Sequence, residues 1–318
     1  MIDKLTVFIL GAGASVPYGY PTGNELRLNI CNKFTQKIES LLIANSANLS
    51  DDEIKDTLEE ARRLTDTFFK SSTPSIDLFL ARNPIFSDIG KKAIVTSILE
   101  CEKNSRFRER ISDKAKDWYT YLFQKMIENL IDPKSYFDFS QNQVAFITFN
   151  YDRSLEHFFY ESLINAFSTA TEREIIDQIN SISIYHAYGI VDTLPWQGGE
   201  RRYRGNYSID SINKFIKNIT LIHEKKHVDQ RNLVYLFKNA QRFFFLGFGY
   251  AEENLDFLDI RKYLLGKKMI YGTALGLTKK EIEEKRNILR KYFSITNHIH
   301  SNPEIYPLDC VALLREYL

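Results

Sequence analysis

The period of the hydrophobic positions changes three times along the chain. Thr6–Leu10 is a continuous apolar run ending in Gly11-Ala12-Gly13, as expected of a strand covered on both faces that turns sharply at its end. Residues 25–130 then keep a helical spacing. Segment 25–43 brings Leu28, Cys31, Phe34, Ile38, Leu41 and Leu42 near one face, and 51–69 is a charged amphipathic helix opened by a Ser50/Glu53 capping box. Segments 94–99 and 118–130 continue the pattern across a charged stretch at 102–116. Strands return at 144–149, 182–185, 242–248, 269–275 and 305–308, with helical segments at 153–167, 209–221, 234–240 and 278–292 between them. Thr278 with Glu281 forms a second capping box.

Strands alternating with helices predict an α/β fold, a doubly wound and mostly parallel Rossmann-like sheet. The all-helical block reads as a large insertion after the first strand. This divides the chain into a sheet domain, residues 1–24 plus 136–318, and a helical insertion subdomain, residues 25–135.

Composition narrows the class. The 318 residues carry 42 Lys and Arg against 41 Asp and Glu, a net charge of +1, with 44% hydrophobic and 26% charged positions. A disordered chain is excluded. Near-neutrality removes the bulk signature of a dedicated nucleic-acid binder, so no direct nucleic-acid binding is expected. Cys31, Cys101 and Cys310 lie too far apart in sequence for a zinc ribbon or a disulfide scaffold, which makes a reducing cytoplasm the default. No apolar stretch reaches the roughly 20 residues of a membrane span. The apolar run near the N-terminus is broken by Gly11 and Gly13 and reads as a strand, not a signal peptide.

Four motifs sit at predicted strand ends, where open α/β sheets bind ligands. Gly11-Ala12-Gly13-Ala14-Ser15, followed by Gly19-Tyr20-Pro21, offers backbone N–H groups to a pyrophosphate; its bland alternative is a tight strand-to-helix turn. Val16 stands where a dinucleotide fingerprint would have its third glycine. Thr148-Phe149-Asn150-Tyr151-Asp152 puts two polar side chains beyond a strand, and Asp152 could equally cap the following helix. Tyr185-His186-Ala187-Tyr188-Gly189 supplies a histidine suited to a base or to a structural role. Leu246-Gly247-Phe248-Gly249-Tyr250, followed by Glu252, Glu253 and Asn254, repeats the glycine turn and would form the second lip of one crevice.

In that order the motifs resemble the sirtuin family over residues 7–255, and within it the bacterial sirtuin-like antiphage defence proteins. Ser75-Ile76-Asp77-Leu78-Phe79-Leu80, the stretch from Thr273 to Glu281 and the Ile305-Tyr306-Pro307-Leu308-Asp309 ending are similar to segments of those proteins. The chain departs from the lysine deacylases of the family. It lacks their cysteine-ligated zinc module, Thr22-Gly23-Asn24 follows Pro21 in place of Asp-Phe-Arg, and Tyr188 precedes Gly189 where a histidine is usual. The resemblance implies an NAD hydrolase that cleaves the nicotinamide N-glycosidic bond as the toxic effector of a defence system. NAD is its substrate and no zinc or other metal is expected. Asn150, His186 and Asp152 are the implied catalytic residues, with His186 preferred over Tyr188 because a phenol titrates too high for a base near neutrality. Gly11, Ala12, Gly13, Ser15, Pro21, Asp77, Gly247, Gly249 and Asn254 are the implied NAD contacts. Homo-oligomerisation and a separate activator, a HerA-like ATPase or an Argonaute-type protein, are the implied partners. An NAD-dependent deacylase and a non-catalytic NAD or ADP-ribose sensor are the alternatives.

Two further motifs compete with this reading. His223-Glu224-Lys225-Lys226-His227 matches a zincin pattern, but paired lysines would crowd a buried zinc ion, so a solvated charged segment is expected. Arg201-Arg202-Tyr203-Arg204 is expected as an exposed loop able to reach phosphate.

Overall fold

The computed structural model describes residues 1–105, 117–224, 230–296 and 299–318. Its sheet is built from β1 (Thr6–Leu10), β2 (Val144–Thr148), β3 (Ser183–His186), β4 (Arg242–Leu246) and β5 (Met269–Thr273). A short antiparallel pair, β6 (Ser294–Thr296) and β7 (Ile299–His300), leads into the last sheet strand, β8 (Glu304–Tyr306). Among the described residues the sheet has six strands in the order β3-β2-β1-β4-β5-β8, all parallel. This is the doubly wound Rossmann-like architecture that the alternating pattern predicts. Sheet growth reverses direction between β1 and β4, creating a switch point at their carboxyl ends.

Every residue of β1, β2 and β4 is buried, which explains their unbroken apolar runs. The register sets Phe8 opposite both Phe146 and Phe244, and the three rings stack at centroid distances of 5.2 and 5.5 Å. Offset stacks of this kind add about 0.5–1.5 kcal/mol each to the area they bury.

The insertion contributes α1 (Gly23–Ala44), α2 (Asp51–Ser71), α3 (Ile76–Arg82) and α4 (Ser87–Lys103), which pack on one another. The expected capping box at Ser50/Glu53 is present, and Thr22/Glu25 adds one at the start of α1. Helix α4 is far longer than the expected 94–99. Its residues 93–99 are all buried, so no polar face marks the period or the ends.

Helix α5 (Trp118–Ile127) departs from the expected boundary at residue 135. It packs on α6 (Ser154–Ala166) and on the final helix. Phe123 meets Phe158 edge-on at 6.0 Å, and the Trp118 indole N–H donates to Ala14 O at 2.8 Å. It therefore flanks the sheet, and one apolar cluster runs through sheet and insertion together. Most of the charged stretch at 102–116 lies outside the described residues.

The remaining helices are α7 (Glu172–Asn180), α8 (Ile209–Phe215), α9 (Gln230–Asn239), α10 (Glu252–Leu258), α11 (Lys279–Tyr292) and α12 (Cys310–Tyr317). The Thr278/Glu281 capping box opens α11 as expected. Helices α7 and α12 lie outside the expected helical segments, and the helix expected at 209–221 stops at Phe215, beyond which Ile219 bridges Gly189.

Candidate functional site

The polar motifs converge at the carboxyl edge of the sheet. The Asn150 side-chain amide donates to Gly11 O and to Ser15 Oγ, both at 3.0 Å. Ser15 Oγ in turn donates to Asp152 Oδ2 at 2.8 Å. Asp152 Oδ1 accepts the backbone N–H of Ser154 at 2.9 Å and also its hydroxyl. The β1 turn is thus sewn to the end of β2; the N-cap position of α6 is Arg153, and Asp152, one residue earlier, takes up the orphan N–H of Ser154 while joining the network. Burial raises the Asp152 carboxyl above its ordinary range, while the donors from Ser154 and Ser15 pull it back.

His186, the last residue of β3, is held from both sides. Its Nδ1 lies 3.0 Å from Asn150 O and its Nε2 lies 2.7 Å from Glu156 Oε1. Both partners are acceptors, so the contacts are fully satisfied when the ring donates from both nitrogens. Acting as a base would require one contact to break. Glu156 is buried beside Arg153, whose Nε lies 3.2 Å from the same Oε1. Burial alone would push Glu156 up, but the charges of Arg153 and His186 outweigh it and hold the carboxyl down to about 2. The Arg153 guanidinium also donates to Asp192 O and Gln197 Oε1.

Tyr188 faces elsewhere. Its hydroxyl donates to Asn254 Oδ1 of α10 at 2.6 Å, and its ring meets Phe149 and Phe257 edge-on. Burial holds its proton well above the ordinary phenol range. Asp77, in the first turn of α3, accepts from the Tyr151 hydroxyl and so brings the insertion to the site. Its carboxyl is raised by burial. Pro21 stays outside the network, between Thr22, which caps α1, and Tyr20, whose hydroxyl meets that of Tyr203 at 2.6 Å.

The two glycine turns pack directly on each other. Gly11 N–H donates to Leu246 O and Gly13 N–H to Gly247 O, both at 3.0 Å. The amides of Ala14 and Ser15 close onto Gly11 O and Ala12 O. These N–H groups are committed within the protein, and the glycines are demanded by close backbone approach: a Cβ on Gly11 would lie 2.6 Å from Gly247 O. Gly249 differs, since a Cβ there would meet nothing within 4 Å.

Of the 201–204 cluster only Arg202 is exposed as expected from its charge; Arg201, Tyr203 and Arg204 are half-buried. Arg201 lies 2.7 Å from Glu102 Oε1 and 3.1 Å from Asp192 Oδ2, its side chain only 8% exposed against a fully buried Glu102. Arg204 donates its backbone N–H to the same Glu102 oxygen. A buried carboxylate on α4 has recruited the loop, because an unpaired charge there would cost several kcal/mol. Residues 225–227 of the zincin-like motif lie outside the described residues, while Glu224 pairs with Lys91 at 2.7 Å.

A cavity of about 840 Å³ lies between the outer face of α6, the start of α5 and the 194–204 loop. His157, Tyr160, Trp196 and Tyr203 form aromatic walls, and none of the nominated site residues lines it. Among the described residues no group of three or more His, Cys, Asp and Glu side chains is arranged to hold a metal ion. Nor, among them, is any helix long and apolar enough to cross a membrane.

Arg153 and Glu156 belong to none of the four strand-end motifs. Their signal was a charge at 156 within the buried stripe that continues through Phe159 and Leu163 of α6. Glu156 also predicts a pH effect. Its folded-state value is depressed below the unfolded value of about 4.3, so its stabilisation is present above that pH and is lost as pH falls towards 2. Urea unfolding should register a loss of about 3 kcal/mol over this window, and Glu156→Gln should flatten it. Asp152, shifted the other way, opposes the trend.

No protein-family model matches this chain, and no curated protein matches it.

Proposed function

We propose that this protein hydrolyses NAD at the nicotinamide N-glycosidic bond. The observation that carries the reading is the meeting of Asn150, Ser15, Asp152 and His186, from the ends of three adjacent strands, in one connected network beside the switch point. A dinucleotide lies across such a switch point in sheets of this order. Cleavage builds oxocarbenium character on the ribose, so the protein's task is to orient that ribose and a water. The Asn150 amide can both donate and accept towards hydroxyl or water, and Gly249 leaves open space beside the second glycine turn. His186 would take the proton of the attacking water or of a ribose hydroxyl. The contacts on both its ring nitrogens describe a restrained state, which suits an NAD-depleting antiphage effector released by an activating partner or by self-assembly.

The test is to incubate the full chain with NAD, alone and with the product of its neighbouring gene, and follow nicotinamide release. Release that is lost in Asn150→Ala and in His186→Ala supports the assignment; release undiminished in both overturns it. NAD bound tightly without turnover under activating conditions would assign a sensor, and release that depends on an acyl-lysine peptide would assign a deacylase.

A further inference from the structure

We infer that Glu156 is the positioning residue of a Glu–His pair, which commits Nε2 of His186 to a carboxylate and makes Nδ1 the nitrogen that works on substrate. The inference rests on the hydrolase reading for its chemistry and on the geometry of α6 and β3 for its residues.

The two contacts on His186 are not equivalent. Nε2 faces a carboxylate oxygen at 2.7 Å, whereas Nδ1 faces a main-chain carbonyl at 3.0 Å. Glu156 is 3% exposed and is clamped through the same oxygen by Arg153, itself 1% exposed. Arg153 is held in place by Asp192 O and Gln197 Oε1. Nothing on this side can yield without stranding a buried charge. On the other side the partner is an uncharged main-chain carbonyl, that of the half-buried Asn150, so its displacement would strand no charge. A ribose hydroxyl or water that displaces Asn150 O meets Nδ1.

Among the described residues the charged group in contact with the ring is Glu156 on α6; it is paired with Arg153 at the N-cap of that helix and lies in the field of Asp152 and of Tyr119 on α5, while Asp192 and Arg201, on the loop after β3, pair behind Arg153. With Nδ1 deprotonated, the neutral ring carries its proton on Nε2 towards Glu156. During hydrolysis the C1′–N bond breaks with its electron pair leaving on nicotinamide, which departs neutral. The oxygen of water bonds C1′ and its proton passes to Nδ1. Glu156 compensates the resulting imidazolium until that proton is released to solvent. NAD and water give ADP-ribose, nicotinamide and one proton. The carboxylate holds the ring's orientation and tautomer, as in carboxylate–histidine pairs of hydrolases generally.

Three forms of the full chain test this: wild type, Glu156→Gln and Glu156→Asp, each first checked for folding by thermal denaturation. Gln is isosteric but neutral, whereas Asp keeps the charge and loses a methylene. A charge role predicts that Asp retains more turnover than Gln. The Gln variant should lose at least about tenfold in kcat with KM for NAD within about threefold. A packing role predicts the reverse order, and Gln at wild-type kcat overturns the proposal. Independently of activity, ¹⁵N-histidine NMR of wild type, with His186 assigned by its absence in His186→Gln, should find the neutral ring protonated on Nε2. Protonation on Nδ1 overturns the proposal. If no condition yields nicotinamide, the hydrolase reading fails, while the NMR result still decides the pair.

Discussion

Gly247→Ala is expected to lower stability by about 2–6 kcal/mol. Two costs combine: about 1–3 kcal/mol for forcing atoms into a closed space, and about 1–3 kcal/mol for a side chain in left-handed backbone. Gly247 has a φ of 55°, and its Cβ would lie 2.0 Å from Ala14 N and 2.2 Å from Gly13 C. These are backbone atoms of the facing turn and cannot rotate away. The only relief is to separate the two turns, which breaks the Gly13-to-Gly247 hydrogen bond and disturbs Ser15 beyond it. Gly249→Ala is the internal control. Its Cβ meets nothing within 4 Å, so a change within about 0.5 kcal/mol is expected. Urea midpoints of the two variants, two residues apart in one loop, check the argument; equal midpoints would refute it.

Arg153→Met is expected to cost about 3–5 kcal/mol, the range for removing one partner of a buried ion pair. Methionine fills much of the volume but leaves the Glu156 carboxylate with Nε2 of His186 as its remaining side-chain contact of the two. Glu156 Oε2 already has no hydrogen-bond partner among the described residues. Asp192 O and Gln197 Oε1 lose their donor as well. The exposed Lys70–Asp66 pair sets the contrast. Its side chains are 72% and 61% exposed, and its loss should cost no more than about 0.5 kcal/mol, although its 2.8 Å separation is shorter than that of Arg153 to Glu156. Burial, not distance, ranks the two, and chemical denaturation of both variants measures the ranking.

The sheet was legible in the sequence because β1, β2 and β4 are covered on both faces, and such strands leave unbroken apolar runs closed by Gly or Asn. Where burial is complete but the element is helical, as in residues 93–99 of α4, the same lack of a polar face hid its length. Helix α7 was missed although Thr171 and Glu174 form a capping box. The burial of Arg201 was not legible because local composition cannot report a buried carboxylate about a hundred residues away.

The candidate site divides the same way. Local order along the chain determined which motifs close which strands, because a parallel sheet delivers every strand's carboxyl end to one edge. That was enough to nominate Asn150, Asp152 and His186. Only the tertiary structure decided what each one touches. It joined Asn150 to Asp152 through Ser15, turned Tyr188 towards Asn254 and His186 towards Glu156, and spent the glycine amides on packing one turn against the other. These outcomes depend on distances between segments far apart in sequence, and on which charges lose their water together. Neither is encoded in the period or spacing of residues along the chain.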